Sequence, residues 1–426
     1  MWNTLTQAWR VKEVRNGLLF VIAMMVIFRV AANIPLPGID LIALRRFFEA
    51  NQLLGLLNVF SGGTMSNFSI VALGVGPYIT SSIVFQLLTM IVPRLEEIQK
   101  EGEAGQKRIS QWTRLLTVPL AIVQSFALLS IMRNSSFPIL TTQEPLYIVM
   151  LIACVTAGTM FLTWLGELIT ERKVGNGISL LIFAGIVSGL PSTVSRFFAT
   201  YDSSQWLTVV LYAASAIAMV AGIVFVNEGQ RNVPVQYARQ SRSLSGTGSG
   251  GITSSLPLRV NMTGVIPIIF AVSMLLFPSV LAQFFAQART PAVANAANWL
   301  LVTLQNQTIY GVLYFLFVVG FTYFYATIVF QPERVSENLQ KQGGFIPGIR
   351  PGAQTAAYLL QVVERITLGG ALFLGFIAVT PLIAQALTGS TTVNIGGTSL
   401  LIVVSVVIES IKQIEAQITM RSYDVY

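Results

Sequence analysis

Few residues of this chain could carry out acid–base, nucleophilic or metal chemistry. Its 426 residues include no histidine and one cysteine, Cys154, which lies inside an apolar run. The lack of histidine excludes Ser-His and Cys-His catalytic pairs and imidazole metal ligands. A Ser-Lys pair is the remaining combination, but every lysine lies in a polar segment or at the edge of an apolar run. The sequence therefore predicts that the protein is not an enzyme and holds no cofactor.

A polar stripe inside an apolar stretch is more informative. Val75, Ile79, Ser82, Gln86 and Thr89 are spaced so that they share one face of a helix. This face begins apolar and becomes polar. Two interpretations fit: hydrogen bonding between membrane helices, which is common, and the wall of an aqueous pathway that narrows to an apolar constriction. The segment that precedes the stripe favours the pathway.

The element that must position this stripe is the uncharged stretch Phe60–Pro93. Its second part, Leu73–Val92, has twenty residues, enough to cross a hydrocarbon core of roughly 30 Å as a helix. Its first part, about 60–72, is too short to span and is interrupted by Gly62 and Gly63. Non-helical backbone at membrane depth must be surrounded by protein or by a water-filled cavity. We therefore expect a short re-entrant segment that leads directly into a full span.

Composition indicates a membrane protein with many spans. It is 54% hydrophobic and 10% charged, against about 25% charged in soluble domains. The first apolar run lacks a small-residue cleavage site, so we do not expect a cleaved signal peptide. The fold class that follows is an all-α polytopic membrane protein. Its ten predicted spans are 17–36, 73–92, 113–132, 146–169, 178–198, 206–226, 263–285, 309–330, 366–387 and 398–414.

The basic residues predict an orientation. With both termini on one side, that side holds twenty of the 26 Lys and Arg residues, the other side holds five, and Arg29 lies in the first span. Basic residues concentrate in cytoplasmic loops. The net charge of +8 is thus primarily an orientation signal, and it predicts a multi-pass protein with both termini in the cytoplasm.

Two long loops, 227–262 and 331–365, lie on the predicted cytoplasmic side. In the first, alternating Val233, Val235 and Tyr237 favour a short hairpin, and the GTGSGG tip lacks the GK[ST] of a phosphate-binding loop. In the second, FIPGIRPG surrounds Arg350 with prolines and glycines that restrict the backbone. A backbone restricted in this way favours a role of Arg350 in docking a partner. The alternative is that Arg350 forms an internal salt bridge.

Two functional classes remain on these grounds. A secondary transporter should carry ionisable groups near mid-membrane, whereas the predicted spans hold almost none apart from Arg29. A passive pore, closed by an apolar constriction and operated by a cytoplasmic partner, needs none. The pore is therefore favoured. Five spans fall in residues 1–200 and five in 201–426, so the two halves would be oppositely oriented, as in inverted repeats.

Several blocks of the sequence also carry a family resemblance. In chain order they are FSGGTMSNFSIVALGVGPYITSSIVFQLLT, GNGISLLIFAGIVSGLP, LPLRVNMTGVIPIIFA, FIPGIRPG and GGTSLLIVV. They resemble the SecY family, the channel subunits of the bacterial Sec protein translocon. The resemblance implies ten transmembrane helices in two inverted five-helix halves, with a short re-entrant plug segment and an hourglass pore.

The resemblance also assigns roles to particular residues. It implies that the plug comprises Ser61, Gly62, Gly63, Thr64, Met65, Ser66, Asn67 and Phe68. It implies that an apolar pore ring comprises Val75, Ile79, Ile178, Ile182, Ile269 and Ile402. The spacings of Val75 with Ile79 and of Ile178 with Ile182, each one helical turn, agree with this ring independently.

The remaining implications concern the gate and the partners. Ser82 and Gln86 would lie near a lateral gate, and Arg350, Arg259 and Arg242 would dock a motor or a ribosome, the last two by a looser match. The implied partners are SecE and SecG, the SecA motor ATPase, the ribosome, signal sequences, unfolded secretory polypeptides and membrane lipid. The expected function is translocation of secretory polypeptides across the bacterial cytoplasmic (inner) membrane, with lateral insertion of membrane proteins into it.

Overall fold

The structure is a computed structural model, and it describes residues 9, 11–50, 61, 63–65, 67–133, 139, 144–199, 206–237, 252–286, 290–388 and 397–423. The chain divides into two compact units. The first comprises Met1–Ser203, Ser273–Gln305 and Ile402–Tyr426, and the second comprises Ser204–Val272 and Asn306–Leu401. The predicted division at residues 200 and 201 stays a prediction.

Ten helices coincide with the ten predicted spans, which confirms the all-α fold class. They are α1 (Lys12–Ala32), α3 (Gly76–Ile91), α5 (Glu103–Arg133), α6 (Pro145–Glu171), α7 (Gly177–Ala199), α8 (Trp206–Glu228), α9 (Ile266–Phe285), α11 (Gln307–Val329), α13 (Ala353–Thr388) and α14 (Gly397–Tyr423). The other described elements are the helices α2 (Leu41–Ala50), α4 (Pro93–Lys100), α10 (Pro291–Gln305) and α12 (Pro332–Lys341), and the strands β1 (Gln230–Tyr237), β2 (Ile252–Arg259) and β3 (Gly344–Phe345).

The membrane helices differ in length. Within the described residues, α1, α5, α6, a stretch that starts with α11 and most of α13 are long and apolar enough to cross a membrane. Helices α3 and α4 meet that criterion together but are bent by 102° where they join. Helices α7, α8 and α9 are 23, 23 and 20 residues long, and each contains a described apolar stretch of 10–17 residues. The bend between α3 and α4 is that of a broken span or a re-entrant loop.

Several helices extend past the bounds that hydropathy predicts. Helix α5 starts ten residues before its predicted span, α13 starts at Ala353 rather than at 366, and α14 continues to Tyr423. The segment 331–365, predicted as a long loop, contains α12, β3 and the first turns of α13. The reason is that hydropathy marks apolar stretches, whereas a polar helix such as α12 forms by packing one apolar edge against its neighbours.

In the first unit, an apolar cluster lies between α2, the turns before α3, and helices α5 and α6. Its buried members include Leu44, Phe47, Met65, Phe68 and Leu151. Helix α2 was not among the predicted elements. It starts where Asp40 Oδ1 accepts hydrogen bonds from the Ile42 and Ala43 amides, at 2.8 and 3.2 Å, which is the usual geometry of an N-cap.

In the second unit, the hairpin predicted from alternation is confirmed, and it belongs to a larger module. Strands β1 and β2 pair antiparallel from Gln230 with Arg259 to Tyr237 with Ile252. Strand β3 adds to the other side of β1, giving the order β2-β1-β3. We call β1–β3, α12 and the first turns of α13 the sheet module. Its apolar core comprises Val233, Val235, Leu258, Leu339, Ile346, Leu359, Val362 and Val363.

Candidate functional site

The described residues of 61–75 form a series of turns that leads into α3. We call this stretch the turn segment. The Thr64 hydroxyl donates to the carbonyl oxygens of Ser61 at 2.9 Å and of Ala72 at 3.2 Å. The Ser69 amide donates to the Thr64 carbonyl at 3.2 Å. Thr64 is fully buried, so these bonds satisfy a hydroxyl that has no access to solvent.

The end of the turn segment is tied to the chain just after α1. The Leu36 amide donates to the Phe68 carbonyl at 3.0 Å, and the Ile70 amide donates to the Ile34 carbonyl at 3.1 Å. Pro35 and Ser69 thereby form an isolated antiparallel bridge. Phe68 has a φ of 38°, which is uncommon for a residue with a side chain. Only 1% of Phe68 is exposed, so packing holds this conformation in place.

Helix α6 touches the backbone of the turn segment at Gly158. A Cβ built at that position would lie 2.1 Å from the Ile70 carbonyl oxygen and 3.2 Å from Val71 Cα. No side chain fits in this space, so glycine allows the two backbones to come close. Of the eight predicted plug residues, Ser61, Gly63, Thr64, Met65, Asn67 and Phe68 lie in this stretch, while Gly62 and Ser66 lie outside the described residues.

The predicted ring residues are apolar positions with two degrees of burial. Val75, Ile182 and Ile402 are buried, and Ile79, Ile178 and Ile269 are half-buried. Val75 is the residue from which α3 starts, and the Ile79 amide donates to its carbonyl at 3.0 Å. Ile269 belongs to the second unit, and the other five belong to the first.

The contact between α6 and α7 positions Ile178. A Cβ at Gly166 would lie 2.5 Å from Ile178 Cδ1, and a Cβ at Gly177 would lie 1.8 Å from the Gly166 carbonyl oxygen. The two glycines therefore allow the helices to cross at van der Waals distance. Asn176 Oδ1 accepts hydrogen bonds from the Ile178 and Ser179 amides at 3.1 and 3.2 Å. This is the usual geometry of an N-cap.

The polar end of the stripe on α3 contains the two predicted gate residues. Gln86 Nε2 donates to Ser82 Oγ at 3.3 Å, as expected for residues one turn apart on the same face. Both side chains are half-buried. Gln86 Oε1 is buried and accepts no hydrogen bond from the described residues. The pair therefore leaves a hydrogen-bond acceptor within a mostly apolar helix.

Arg350 lies at the exposed tip of the sheet module. The turn that holds it has Gly348 at φ 81° and Gly352 at φ 100°, conformations that glycine adopts without strain. The Arg350 carbonyl accepts from Thr355 Oγ1 at 3.0 Å, and the Gly352 carbonyl accepts from Ser336 Oγ at 2.7 Å. These bonds tie the backbone to α12 and α13, while the Arg350 side chain remains exposed.

Of the other two predicted docking residues, the structure describes one. Arg259 is exposed at the end of β2, and Arg242 lies outside the described residues. The structure places Arg259 and Arg350 in the same module because β3 joins the two predicted loops through pairs Gln236–Phe345 and Tyr237–Gly344. This link was not predicted from the sequence. A strand of two residues carries no detectable periodicity.

An ion pair between α5 and α6 was also missed. Arg114 Nη2 contacts Glu167 Oε2, although 53 positions separate the residues in sequence. The signal in the sequence was a carboxylate close to the end of an otherwise apolar run, and such residues in membrane spans usually have a partner. In the described residues, no group of three or more Cys, Asp or Glu side chains could hold a metal ion.

Comparison with known proteins identifies the protein family that this chain matches. Residues 69–411 match the SecY protein family. A curated relative from Halalkalibacterium halodurans, named protein translocase subunit SecY, is 42% identical over 99% of this chain and 99% of its own length. The alignment with this relative includes the turn segment, all six predicted ring positions and the sheet module.

Two solved structures have the same fold. One is described as a protein-conducting channel. It superposes with a TM-score of 0.65 at 16% identity and covers 94% of this chain and 91% of its own. The other is a SecY protein whose plug domain stabilises the closed state of the translocation channel and maintains a membrane seal. It has a TM-score of 0.64 at 18% identity, with the same coverage.

Proposed function

This chain belongs to the SecY family, and on that premise we propose that it forms a protein-conducting channel in the bacterial cytoplasmic membrane. Secretory polypeptides cross the membrane through it, and apolar segments of membrane proteins leave it sideways into lipid. The observation that carries the proposal is the turn segment. Its non-helical backbone is buried by protein and leads without a break through Val75 into α3, which contains Ile79, so two of the six ring positions lie at this junction.

The pore ring is the seal of the channel. A translocating chain needs a wide route, but small ions must not leak when the route is idle. Apolar side chains suit both needs because they close around a polypeptide and exclude water when it is absent. The burial of Val75, Ile182 and Ile402 supports this role, since a closed ring packs its side chains against neighbouring apolar groups.

Ser61–Phe68, the first part of the turn segment, is the plug that covers the resting pore. Met65 and Phe68 pack into the apolar cluster of the first unit, and Thr64 is held by two hydrogen bonds. Each such bond contributes about 1 kcal/mol net, and the apolar contacts add to it. The plug is therefore stable at rest, and an arriving polypeptide must supply the free energy that displaces it.

Signal sequences open the channel at a lateral gate that includes Ser82 and Gln86. A signal sequence is an apolar helix, and moving it from water into lipid is favourable by about 25 cal/mol per Å² of buried apolar surface. The half-buried Ser82–Gln86 pair, with a Gln86 acceptor that has no partner among the described residues, supports a polar gate position on α3.

The energy for forward movement comes from partners, because the sequence carries no nucleotide-binding motif of its own. We assign the SecA motor or a ribosome to the surface with Arg350, Arg259 and Arg242. Small subunits of the SecE and SecG type cover the exposed apolar helix faces, and both termini lie in the cytoplasm. The exposed Arg350 on a fixed backbone supports the assignment, since a rigid guanidinium pairs with carboxylates in a bidentate manner.

The ring can be tested by replacing Ile79, Ile182 and Ile269 together by Ser. Hydroxyl groups hydrate the constriction, so the idle channel in planar bilayers should conduct small ions while translocation continues. The matched control replaces the same three residues by Val, which keeps the ring apolar and should leave the channel closed. Equal conductance of the Ser and Val variants would show that these positions do not face the pore.

A further inference from the structure

A cluster of polar side chains links three helices of the first unit near two ring positions. Its centre is the ion pair between Arg114 on α5 and Glu167 on α6. Tyr78 on α3 is close enough to Ser110 on α5 and to both charges to interact with them. Beside it, Ser81 Oγ donates to the Thr113 carbonyl at 2.6 Å. The cluster thus ties α3 to α5 and α5 to α6.

The cluster is close in sequence to one ring position on α3 and to the residue that contacts another ring position on α7. Tyr78 precedes Ile79, a ring position on α3. Glu167 follows Gly166, whose surface is in contact with the Ile178 side chain, since a Cβ there would lie 2.5 Å from Ile178 Cδ1. A shift of α3 or α6 at the cluster therefore moves one of these ring side chains.

The surroundings of the Arg114–Glu167 ion pair strengthen it. The Glu167 side chain is 23% exposed and that of Arg114 is 44% exposed, so the pair is partly shielded from water and interacts more strongly than a surface pair. Glu167 Oε1 is buried and accepts no hydrogen bond from the described residues. The carboxylate therefore depends on Arg114, and loss of Arg114 would leave a charge in an unfavourable place.

We propose that Arg114, Glu167 and Tyr78 form an electrostatic latch that positions Ile79 and Ile178 in the closed ring. The three are positioning residues, because they act through the ring and do not touch the translocating chain. The proposal rests on the proposed function, since a ring that seals the pore must exist for the latch to hold it. Opening of the channel then requires α3 to separate from the Arg114–Glu167 pair.

The first test removes a charge without changing size. In Glu167→Gln, the channel purified from membranes with its associated subunits should show a several-fold higher idle conductance in planar bilayers, and cells should export proteins with defective signal sequences. Tyr78→Phe removes one hydroxyl only and should give a smaller change in the same direction. The matched control is Arg108→Gln, on the same helix as Arg114, which breaks an exposed pair with Glu101 and should leave conductance at the wild-type level.

The second test separates a latch from a purely structural role. The double variant Arg114→Glu with Glu167→Arg restores the pair in reverse and should bring conductance back towards wild type. If Glu167→Gln lowers the melting temperature but leaves conductance unchanged, or if the reversed pair and Glu167→Gln leak equally, the latch is wrong. If these variants are tight while the triple Ile→Ser ring leaks, the latch fails and the proposed function stands. A tight triple variant would instead contradict the ring.

Discussion

The sheet module and the turn segment are two parts of the chain that do not span a membrane, and they are built in opposite ways. The module has its own apolar core, with Val233, Leu258 and Leu359 among its buried residues, and it leaves Arg350 exposed. The turn segment has no core of its own. Its Met65 and Phe68 fill a cluster made by α2, α5 and α6.

This difference shows how each part can serve a channel. A module with an independent core keeps its shape when the membrane helices move, so it suits docking of a large partner. A segment that borrows its core from neighbouring helices changes whenever those helices shift, because its contacts are theirs. It therefore suits a plug, whose position should depend on the state of the channel.

Reversing the charge at the tip of the module should have the largest effect. Arg350→Glu should abolish motor-driven translocation into membrane vesicles while expression and subunit association stay normal, because a carboxylate repels the acidic partner groups that a guanidinium binds. The matched control is Arg334→Glu, an exposed arginine on α12 of the same module. Normal transport by Arg350→Glu would mean that this arginine acts only as a signal for the orientation of the chain in the membrane.

Deletion of Gly62–Asn67 should have the next largest effect. The closed state loses the contacts of Thr64 and Met65, so we expect a higher resting ion conductance and export of proteins with defective signal sequences. Conductance in planar bilayers and export in cells measure the two effects. A deletion variant that is unstable but still tight and selective would show that the segment only packs the first unit.

A milder change tests whether the turn segment depends on its neighbours. In Gly158→Ala the new methyl group meets the Ile70 carbonyl at 2.1 Å, so α6 or the segment must move, at a cost of roughly 1–3 kcal/mol. We expect a lower melting temperature together with a small ion leak. Gly189→Ala is the control, since no atom lies within 4 Å of its added Cβ. Identical behaviour of the two variants would contradict the close packing of α6 on the segment.

The smallest effect is expected at the surface of the module. Lys341 and Glu337 form an i,i+4 pair at 3.8 Å with side chains 74% and 66% exposed. Such pairs contribute less than about 0.5 kcal/mol, so Lys341→Ala should leave the melting temperature and translocation unchanged. A clear loss of translocation would extend the docking surface from Arg350 to α12.

The sequence by itself determined the features that depend on local patterns. Apolar runs located all ten membrane helices, because length and hydropathy are properties of contiguous residues. Alternation of Val233 and Val235 located the hairpin, because a strand face is set by residues close in the chain. The interrupted apolar stretch before α3 marked the turn segment for the same reason.

Only the tertiary structure decided how distant parts meet. It joined the two predicted loops through β3, extended α13 into the sheet module, and paired Arg114 with Glu167 across 53 positions. It also showed that Gly158 and Gly166 are contact points between backbones. The physical reason is that such contacts depend on packing between helices that are far apart in the chain, and a pattern of types and spacings within one segment does not contain that information.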